Sequence, residues 1–397
     1  MKRSFSFDDV RPTLVVVFGT SFIAATYGLV RLAYGLFLPD VQKDLGLGSA
    51  GAGYVSSGSS LVYCAAAVAG FYLASRRPRA LVLAAAATAC IGVLGMAAAT
   101  SVAAFAAYAV LSSAGAGFAS PALVTIVARN VSPRRVDSAQ SAVNAGTGPG
   151  LVGAGALALL LLPQWRTSWV LVGVVTAVLA AVLLAVDRGS AASAPTAQRL
   201  PTAWIRSHLA AIAAAVLLGA GSAAVWTYGR SLLVETGGGS ERDTVTSWIL
   251  LGVGATAVAA TARPLARLNP TDAWMLTCAL VTCAVAVLAI APRHAGIVAA
   301  ACLTFGWAFV AATSALIAWT TRIDPANAAA GTAMLFVALT FGQAAGSTAL
   351  GFAIPRSGFT TAFLAASALT AAAVAVGALD RRRGVGVSSR TAAGTAW

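Results

Sequence analysis

The stretch Leu73-Ala74-Ser75-Arg76-Arg77-Pro78-Arg79 separates two long apolar runs, 50–74 and 80–99, and puts three arginines into the short segment between them. An apolar run of about 20 residues is long enough to cross a membrane as a helix. Cytoplasmic loops of membrane proteins carry an excess of lysine and arginine. The stretch therefore predicts two spanning helices that are joined on the cytoplasmic side.

The same alternation of apolar runs and basic breaks extends over the whole chain. Hydrophobic residues make up 59% of it and charged residues 10%, whereas soluble domains have about 45–50% and about 25%. We predict an all-α integral membrane protein in which twelve helices form two pseudo-symmetric six-helix bundles with cytoplasmic N- and C-termini. The predicted spans are 14–38, 50–74, 80–99, 102–128, 139–162, 168–186, 209–234, 244–262, 273–291, 295–321, 329–354 and 359–379.

The basic residues fall mainly on one side of this topology. Of the 26 lysines and arginines, 19 lie in predicted cytoplasmic segments, five lie outside, and Arg31 and Arg230 lie within spans. The opposite orientation would invert this bias, so we predict a multi-pass protein of the cytoplasmic (inner) cell membrane. The net charge of +14 favours contact with anionic membrane lipids. Because the arginines stand in small groups between apolar runs, no nucleic-acid partner is expected.

The chain divides into two halves around a polar segment. The predicted organisation is an N-terminal half over 1–186, a central cytoplasmic linker over 187–207, a C-terminal half over 208–380 and a cytoplasmic tail over 381–397. The linker is rich in Ala, Ser, Pro and Arg and has no apolar periodicity. It separates the predicted spans into six and six.

Short matches between the halves indicate a duplication. Ser120-Pro121-Ala122-Leu123 matches Thr313-Ser314-Ala315-Leu316, and Thr26-Tyr27-Gly28 before Arg31 matches Thr227-Tyr228-Gly229 before Arg230. Two related six-span halves predict a substrate path at their interface, near the middle of the membrane.

This organisation resembles the major facilitator superfamily over the whole chain. The family's signature between spans two and three, roughly G-x-L-A-D-R-x-G-R-R, is matched here by Leu73, Ala74, Arg76 and Arg79. Ser75 replaces the acid, so the charge relay of that acid has no equivalent here. Arg76 and Arg79 are expected to control conformation by binding helix C-terminal carbonyls, or else they only set the topology. The resemblance implies a secondary active transporter that works by alternating access.

Two further stretches carry the resemblance. Gly146-Thr147-Gly148-Pro149-Gly150, followed by Gly153, is similar to the Gly-Pro motif in span five of the family's exporters, which implies export and a pliable helix. Close helix packing through small residues is the alternative interpretation. Gly28 to Tyr34 resembles the G-x-x-R-[FL]-A-Y stretch of a poorly characterised bacterial branch, which implies no substrate.

Arg31 and Arg230 are the first candidates for a binding site. An ionisable residue inside a span costs about 2.5–3.5 kcal/mol or more and is a functional candidate by default. With spans ending near Pro39 and Gly237, both arginines are predicted one to two turns from the outer end. Guanidinium groups pair with carboxylate or phosphate, and two of them resemble the arrangement in the family's organic-phosphate exchangers. The alternatives are snorkelling to lipid headgroups or pairing of Arg230 with Glu235.

Polar and aromatic residues within spans complete the predicted site. No acid lies in the middle of a predicted span, so Glu235 is the nearest candidate for a proton carrier, and coupling to protons or to a counter-substrate is left open. The predicted substrate-binding residues besides the two arginines are Tyr27, Tyr34, Asn144, Trp226, Tyr228 and Gln343.

Enzyme motifs are not found. The five cysteines lie in apolar runs without metal-ligand spacing, and the two lysines follow no glycine-rich loop, so we expect no enzyme activity, no cofactor and no metal. We expect a monomer that moves a small organic solute. Export of metabolites or drug-like compounds is the first hypothesis, organic-anion uptake or exchange is the second, and a non-transporting membrane sensor is the third.

Overall fold

The computed structural model describes the backbone of residues 7–188, 202–237 and 239–394, and the side chains of 11–188, 204–237 and 239–382. Within this part the secondary structure is helical throughout, which confirms the predicted all-α class. The helices are α1 Phe7–Ile23, a π-helix Ala24–Leu32, α2 Ala33–Leu45, α3 Ser49–Leu73, α4 Pro78–Ala98, α5 Val102–Asn130, α6 Val136–Asn144, α7 Thr147–Leu161, α8 Trp165–Val186, α9 Thr202–Glu235, α10 Glu241–Leu265, α11 Pro270–Ile290, α12 Ala295–Ile323, a 3-10 turn Pro325–Asn327, and α13 Ala328–Gly394.

Eleven helical segments of the described chain are long and apolar enough to cross a membrane. The last of them, Pro325–Arg382, covers both of the final predicted spans. At Gly358 the backbone leaves helical geometry, with φ at 78° and ψ at 166°, so α13 consists of two helices that meet at a kink. Glycine tolerates this positive φ because it has no Cβ.

The first span is longer than predicted. We expected it to end near Pro39, but α2 continues to Leu45, which leaves Arg31 about 21 Å of helix from that end. The prediction that Arg31 lies one to two turns from the end of the span is therefore wrong. Proline at this point lacks an N–H but does not stop the helix, since α1, the π-helix and α2 form one continuous span.

The helices before and after the predicted linker pack in the same order. In the N-terminal half α3 and α4 contact α5, and α4 contacts α8. In the C-terminal half α10 and α11 contact α12, and α11 contacts α13. Across the halves, α3 packs on α13, α7 on α10 and α2 on α9. Most of the predicted linker, 189–201, lies outside the described residues.

A buried carboxylate ties together one end of the N-terminal half. Asp187, the residue that ends α8, is 1% exposed and accepts hydrogen bonds from Arg129 and from Asn130, the latter at 2.8 Å. Arg79 donates to the backbone carbonyl of Asp187 at 2.6 Å. We call the end of the bundle that carries Arg79, Arg129 and Arg322 the basic end, and the other end the opposite end.

Asp187→Asn is expected to destabilise the protein by about 3–5 kcal/mol, because it leaves the buried guanidinium of Arg129 without its counter-charge. Asp44→Asn is the matched control. Asp44 pairs with Arg166 at 2.6 Å, but both side chains are more than a third exposed, so a change below about 1 kcal/mol is expected. Denaturant unfolding of the purified protein in detergent measures both. Equal losses in the two variants would contradict the structural role of Asp187.

Candidate functional site

A π-helical segment in the first span carries a charged residue. Arg31 lies near the end of the π-helix Ala24–Leu32. Such segments are rare and occur frequently at functional sites. The π-helix packs tightly on α7, since a Cβ on Gly28 would lie 2.5 Å from the backbone of Gly150. This close backbone contact fixes the segment from which the Arg31 side chain projects.

Arg31 faces a cavity between the two halves. The space within the cavity and its opening together amounts to about 540 Å³. Its lining residues come from the π-helix, α2 to α5, α9 and α13: they are Val30, Arg31, Leu32, Tyr34, Ser56, Ser59, Ser60, Met96, Ala109, Ser112, Ser113, Ala223, Trp226, Thr227, Gln343 and Ser347.

Aromatic and amide contacts orient the Arg31 guanidinium. Its Cζ lies 4.3 Å from the ring centroid of Tyr63, and its Nη2 donates to Gln343 Oε1 at 3.4 Å. The Tyr63 hydroxyl is in turn hydrogen-bonded to the Tyr27 hydroxyl at 2.9 Å. A cation over an aromatic face is attracted to it, but neither contact neutralises the charge. Among the described side chains, no carboxylate forms an ion pair with Arg31.

Arg230 has a different environment. Its side chain is 1% exposed and pairs with Asp40, which lies on α2 of the other half. It also approaches Glu241 at 3.5 Å and donates to the carbonyl of Leu36 at 2.6 Å. Arg230 is absent from the lining of the central cavity and borders a smaller pocket of about 290 Å³. The two arginines therefore do not meet in one cavity, and Glu235 is exposed at the end of α9.

Hydrogen bonds across the halves continue from Arg230 along α2, α3 and α9. Ser231 donates to Gln42 at 3.0 Å, and Tyr228 donates to the carbonyl of Ser49 at 3.0 Å. Deeper in the interface, Ser56 is hydrogen-bonded to Thr227 at 2.9 Å. We call this set of contacts, from Asp40–Arg230 to Ser56–Thr227, the seal; it covers the cavity toward the opposite end.

The other predicted binding residues fall into three groups. Tyr34, Trp226 and Gln343 line the cavity, as Arg31 does. Tyr27 and Tyr228 do not line the cavity. Tyr27 is hydrogen-bonded to Tyr63, and Tyr228 belongs to the seal. Asn144 is exposed at the end of α6, away from the cavity lining.

The residues predicted to control conformation do not share one environment. The described hydrogen bonds of Arg79 go to Asp187, at the end of α8, and Arg76 is exposed. The span that contains Pro149 is interrupted at Ala145–Gly146, between α6 and α7. A proline four residues after Ala145 cannot donate a hydrogen bond to that carbonyl, which is consistent with the break. Gly148 lies against Thr256 of α10, in the other half.

Gly148→Ala is expected to destabilise this arrangement of the halves by about 1–3 kcal/mol, because its Cβ would lie 2.7 Å from the Thr256 backbone nitrogen. Gly153→Ala is the matched control on the same helix. Its Cβ would meet only a Leu29 methyl, at 3.6 Å, so no such loss is expected. The unfolding midpoint of the two purified variants measures the difference, and equal midpoints would contradict the packing role of Gly148.

Several residues of the site were not predicted. Asp40 and Asp187 look in the sequence like acids that follow an apolar run, and the run of serines in α3 looks like ordinary small-residue packing. The spacing of Ser56, Ser59 and Ser60 at i, i+3 and i+4 was the available signal, since such residues share one helix face.

Apolar helices around a polar cavity at the contact of two halves define a multi-pass membrane transporter. Residues 20–209 match the sequence model of the Major Facilitator Superfamily. The crystal structure of the nucleoside transporter NupG superposes with a TM-score of 0.76 at 12% identity, covering 93% of this chain and 98% of NupG. A bacterial homologue of the human lysosomal transporter Spinster, inward-facing and occupied, superposes with a TM-score of 0.75 at 13% identity. The superposition covers 96% of this chain and 98% of the homologue.

Residues 20–209 are therefore similar in sequence to the Major Facilitator Superfamily, and the chain shares the fold of these two transporters. It is a membrane transporter rather than an enzyme, and a transporter of this fold has a small-molecule substrate. A comparison with curated protein sequences finds no match.

Proposed function

We propose that this protein moves a small organic anion across the inner cell membrane by alternating access, with Arg31 as the residue that binds the anionic group. The observation that carries the proposal is the Arg31 guanidinium, which lines the cavity and has no described carboxylate partner. A cation is costly inside a membrane span. A bound carboxylate or phosphate would supply the missing counter-charge in bidentate geometry.

The proposed topology has twelve spans, because the kink at Gly358 divides α13. The basic end is proposed to be cytoplasmic, since the positive-inside bias points there. The seal then closes the outer side, and Arg230 serves as its ion-pair partner to Asp40 rather than as a second anion ligand. The structural relative with a TM-score of 0.75 is described as inward-facing.

Export is the proposed direction, because the Gly146 to Gly150 stretch is similar to the family's exporter motif and Gly148 lies in the contact between the halves. Uptake or exchange of the same anion is the second candidate function, favoured by the same cavity. Glu235 is proposed to carry no proton, since it is exposed and outside the cavity lining.

Reconstituted vesicles test the proposal. The purified full chain is placed in proteoliposomes, and the flux of labelled organic anions is compared with that of lipophilic cations and nucleosides, with gradients in either direction. Anion flux that depends on Arg31 is expected. Flux of cations or nucleosides alone would exclude an anion carrier, and no flux under any gradient would favour a non-transporting sensor.

A further inference from the structure

We propose that the cavity selects a hydroxylated organic anion, in which the charged group binds Arg31 and a hydroxyl group binds Ser60 and Ser113. This inference rests on the proposed function and adds the chemistry of the rest of the solute. It is based on two serines of the cavity wall that hydrogen bonding within the protein does not use.

Ser60 of α3 and Ser113 of α5 are buried but face the cavity. Ser60 is 4% exposed and Ser113 is 2% exposed, and both belong to the cavity lining. Neither hydroxyl has a hydrogen-bond partner among the described residues. A buried polar group is nearly always paired, with protein or with ordered water. The oxygens of Ser60 and Ser113 are not among the fully buried unpaired atoms of the described residues, so both hydroxyls are open to the cavity that a solute would enter.

Neighbouring serines have other partners. The Ser56 hydroxyl bonds Thr227 and Ser347 of the other half, at 2.9 Å each. Ser112 donates to the carbonyl of Ala109 at 2.7 Å, one turn earlier in its own helix. The hydroxyl of Ser56 is therefore part of the seal, and the hydroxyl hydrogen of Ser112 is donated within its own helix. Ser60 and Ser113 keep both a donor and acceptor lone pairs free.

The free hydroxyls determine which solutes fit. In the empty cavity water can pair with them, and a solute that displaces this water must replace its hydrogen bonds. A hydroxyl of the solute both donates and accepts, as each serine does. An aliphatic anion would satisfy Arg31 but leave both serines unpaired, and a site built to bind a hydroxyl discriminates strongly against an analogue that lacks it.

The rest of the cavity lining fits a solute that has oxygens on one side and a carbon skeleton on the other. Trp226, on the other half, has a ring N–H without a described partner, and its ring packs on Phe305 and Phe309 with centroids 5.5 Å and 5.2 Å away. The carbon skeleton of the solute can lie on this aromatic side while its oxygens face α3 and α5.

Matched pairs of anions test the inference. The purified full chain is titrated with gluconate against hexanoate, glycerate against propionate, and sorbitol phosphate against hexyl phosphate, and the rise in unfolding temperature with concentration gives each affinity. In at least one pair the hydroxylated member is expected to bind at least about tenfold more tightly. Binding is measured rather than flux because short fatty acids cross membranes unaided.

Variants separate this inference from the proposed function. Ser60→Ala with Ser113→Ala is expected to reduce the preference within the pair to about threefold or less, without lowering the unfolding temperature of the empty protein. Ser314→Ala is the control, because Ser314 is exposed and bonds only the Val310 carbonyl of its own helix. Arg31→Gln is expected to weaken both members of a pair and to leave their ratio unchanged.

Two outcomes overturn the inference and leave the proposed function intact. One is Arg31-dependent binding of both members of every pair with equal affinity. The other is a preference that survives in the double serine variant. If no anion binds in an Arg31-dependent way, the proposed function fails and the inference fails with it.

Discussion

Arg31→Gln is expected to lower the affinity for the transported anion about 10- to 100-fold, the value of a lost charge-assisted hydrogen bond. The variant should fold normally, because Arg31 has no described carboxylate partner that its loss would leave unpaired. Arg31→Lys keeps the charge but not the planar fork, so an intermediate affinity is expected. Proteoliposome flux at several anion concentrations measures the change.

The unfolding temperature of the empty variant separates binding from folding. A purely structural Arg31 would give a variant that unfolds early and transports poorly, whereas a binding Arg31 gives a stable variant with weak affinity. Unchanged anion transport in Arg31→Gln, alone and combined with Arg230→Gln, would exclude an anion site at either arginine.

Arg230→Gln is expected to open the seal and to shift the protein toward the state that is open at the opposite end. The variant removes the ion pair between α9 and Asp40 of the other half and the bond to the Leu36 carbonyl. Breaking a buried pair by removing one partner costs about 3–5 kcal/mol, which is enough to change the populations of two conformations by more than about 100-fold. Asp40→Asn should act in the same direction.

Thiol labelling from the outside measures this shift. Thr227→Cys, in a chain whose five native cysteines are replaced by alanine, reports on the seal because Thr227 is 2% exposed there. A membrane-impermeant reagent should label it slowly with Arg230 intact and at least about tenfold faster in Arg230→Gln. Combining Arg230→Gln with Asp40→Asn should add little, since the two residues share one interaction.

Glu235→Gln is the control on the same helix. Glu235 is exposed five residues beyond Arg230 and outside the seal, so its neutralisation should leave the labelling rate unchanged. A labelling rate that rises in Glu235→Gln as much as in Arg230→Gln would contradict the assignment of the seal to the Arg230–Asp40 pair.

The sequence predicted the helices well because membrane insertion depends on local composition. Every predicted span has a helical counterpart within the described residues, although 329–354 and 359–379 join across the Gly358 kink. Boundaries that depended on one residue were less reliable. The sequence predicts a helix end near Pro39, yet the helix continues to Leu45, because the hydrogen bonds on either side of the proline outweigh the one that its missing N–H removes.

The candidate site could be predicted only in part. Arg31 was recognised as unusual because any charge within an apolar run is unusual. Its partners Tyr63 and Gln343 stand 32 and 312 residues away in the chain, and only the packing of α3 and α13 brings them to it. The missing counter-charge of Arg31 is likewise visible only when every neighbouring side chain is known.

The sequence by itself determined the class of the protein: apolar runs of spanning length, basic segments on one side, and two charges inside the membrane region. Only the tertiary structure distinguished the two charges. Arg230 meets Asp40, which lies 190 residues earlier, and becomes part of the seal, while Arg31 faces the cavity without a carboxylate. The physical reason is that hydropathy is a property of each segment, whereas the neutralisation of a buried charge depends on which distant side chains pack around it.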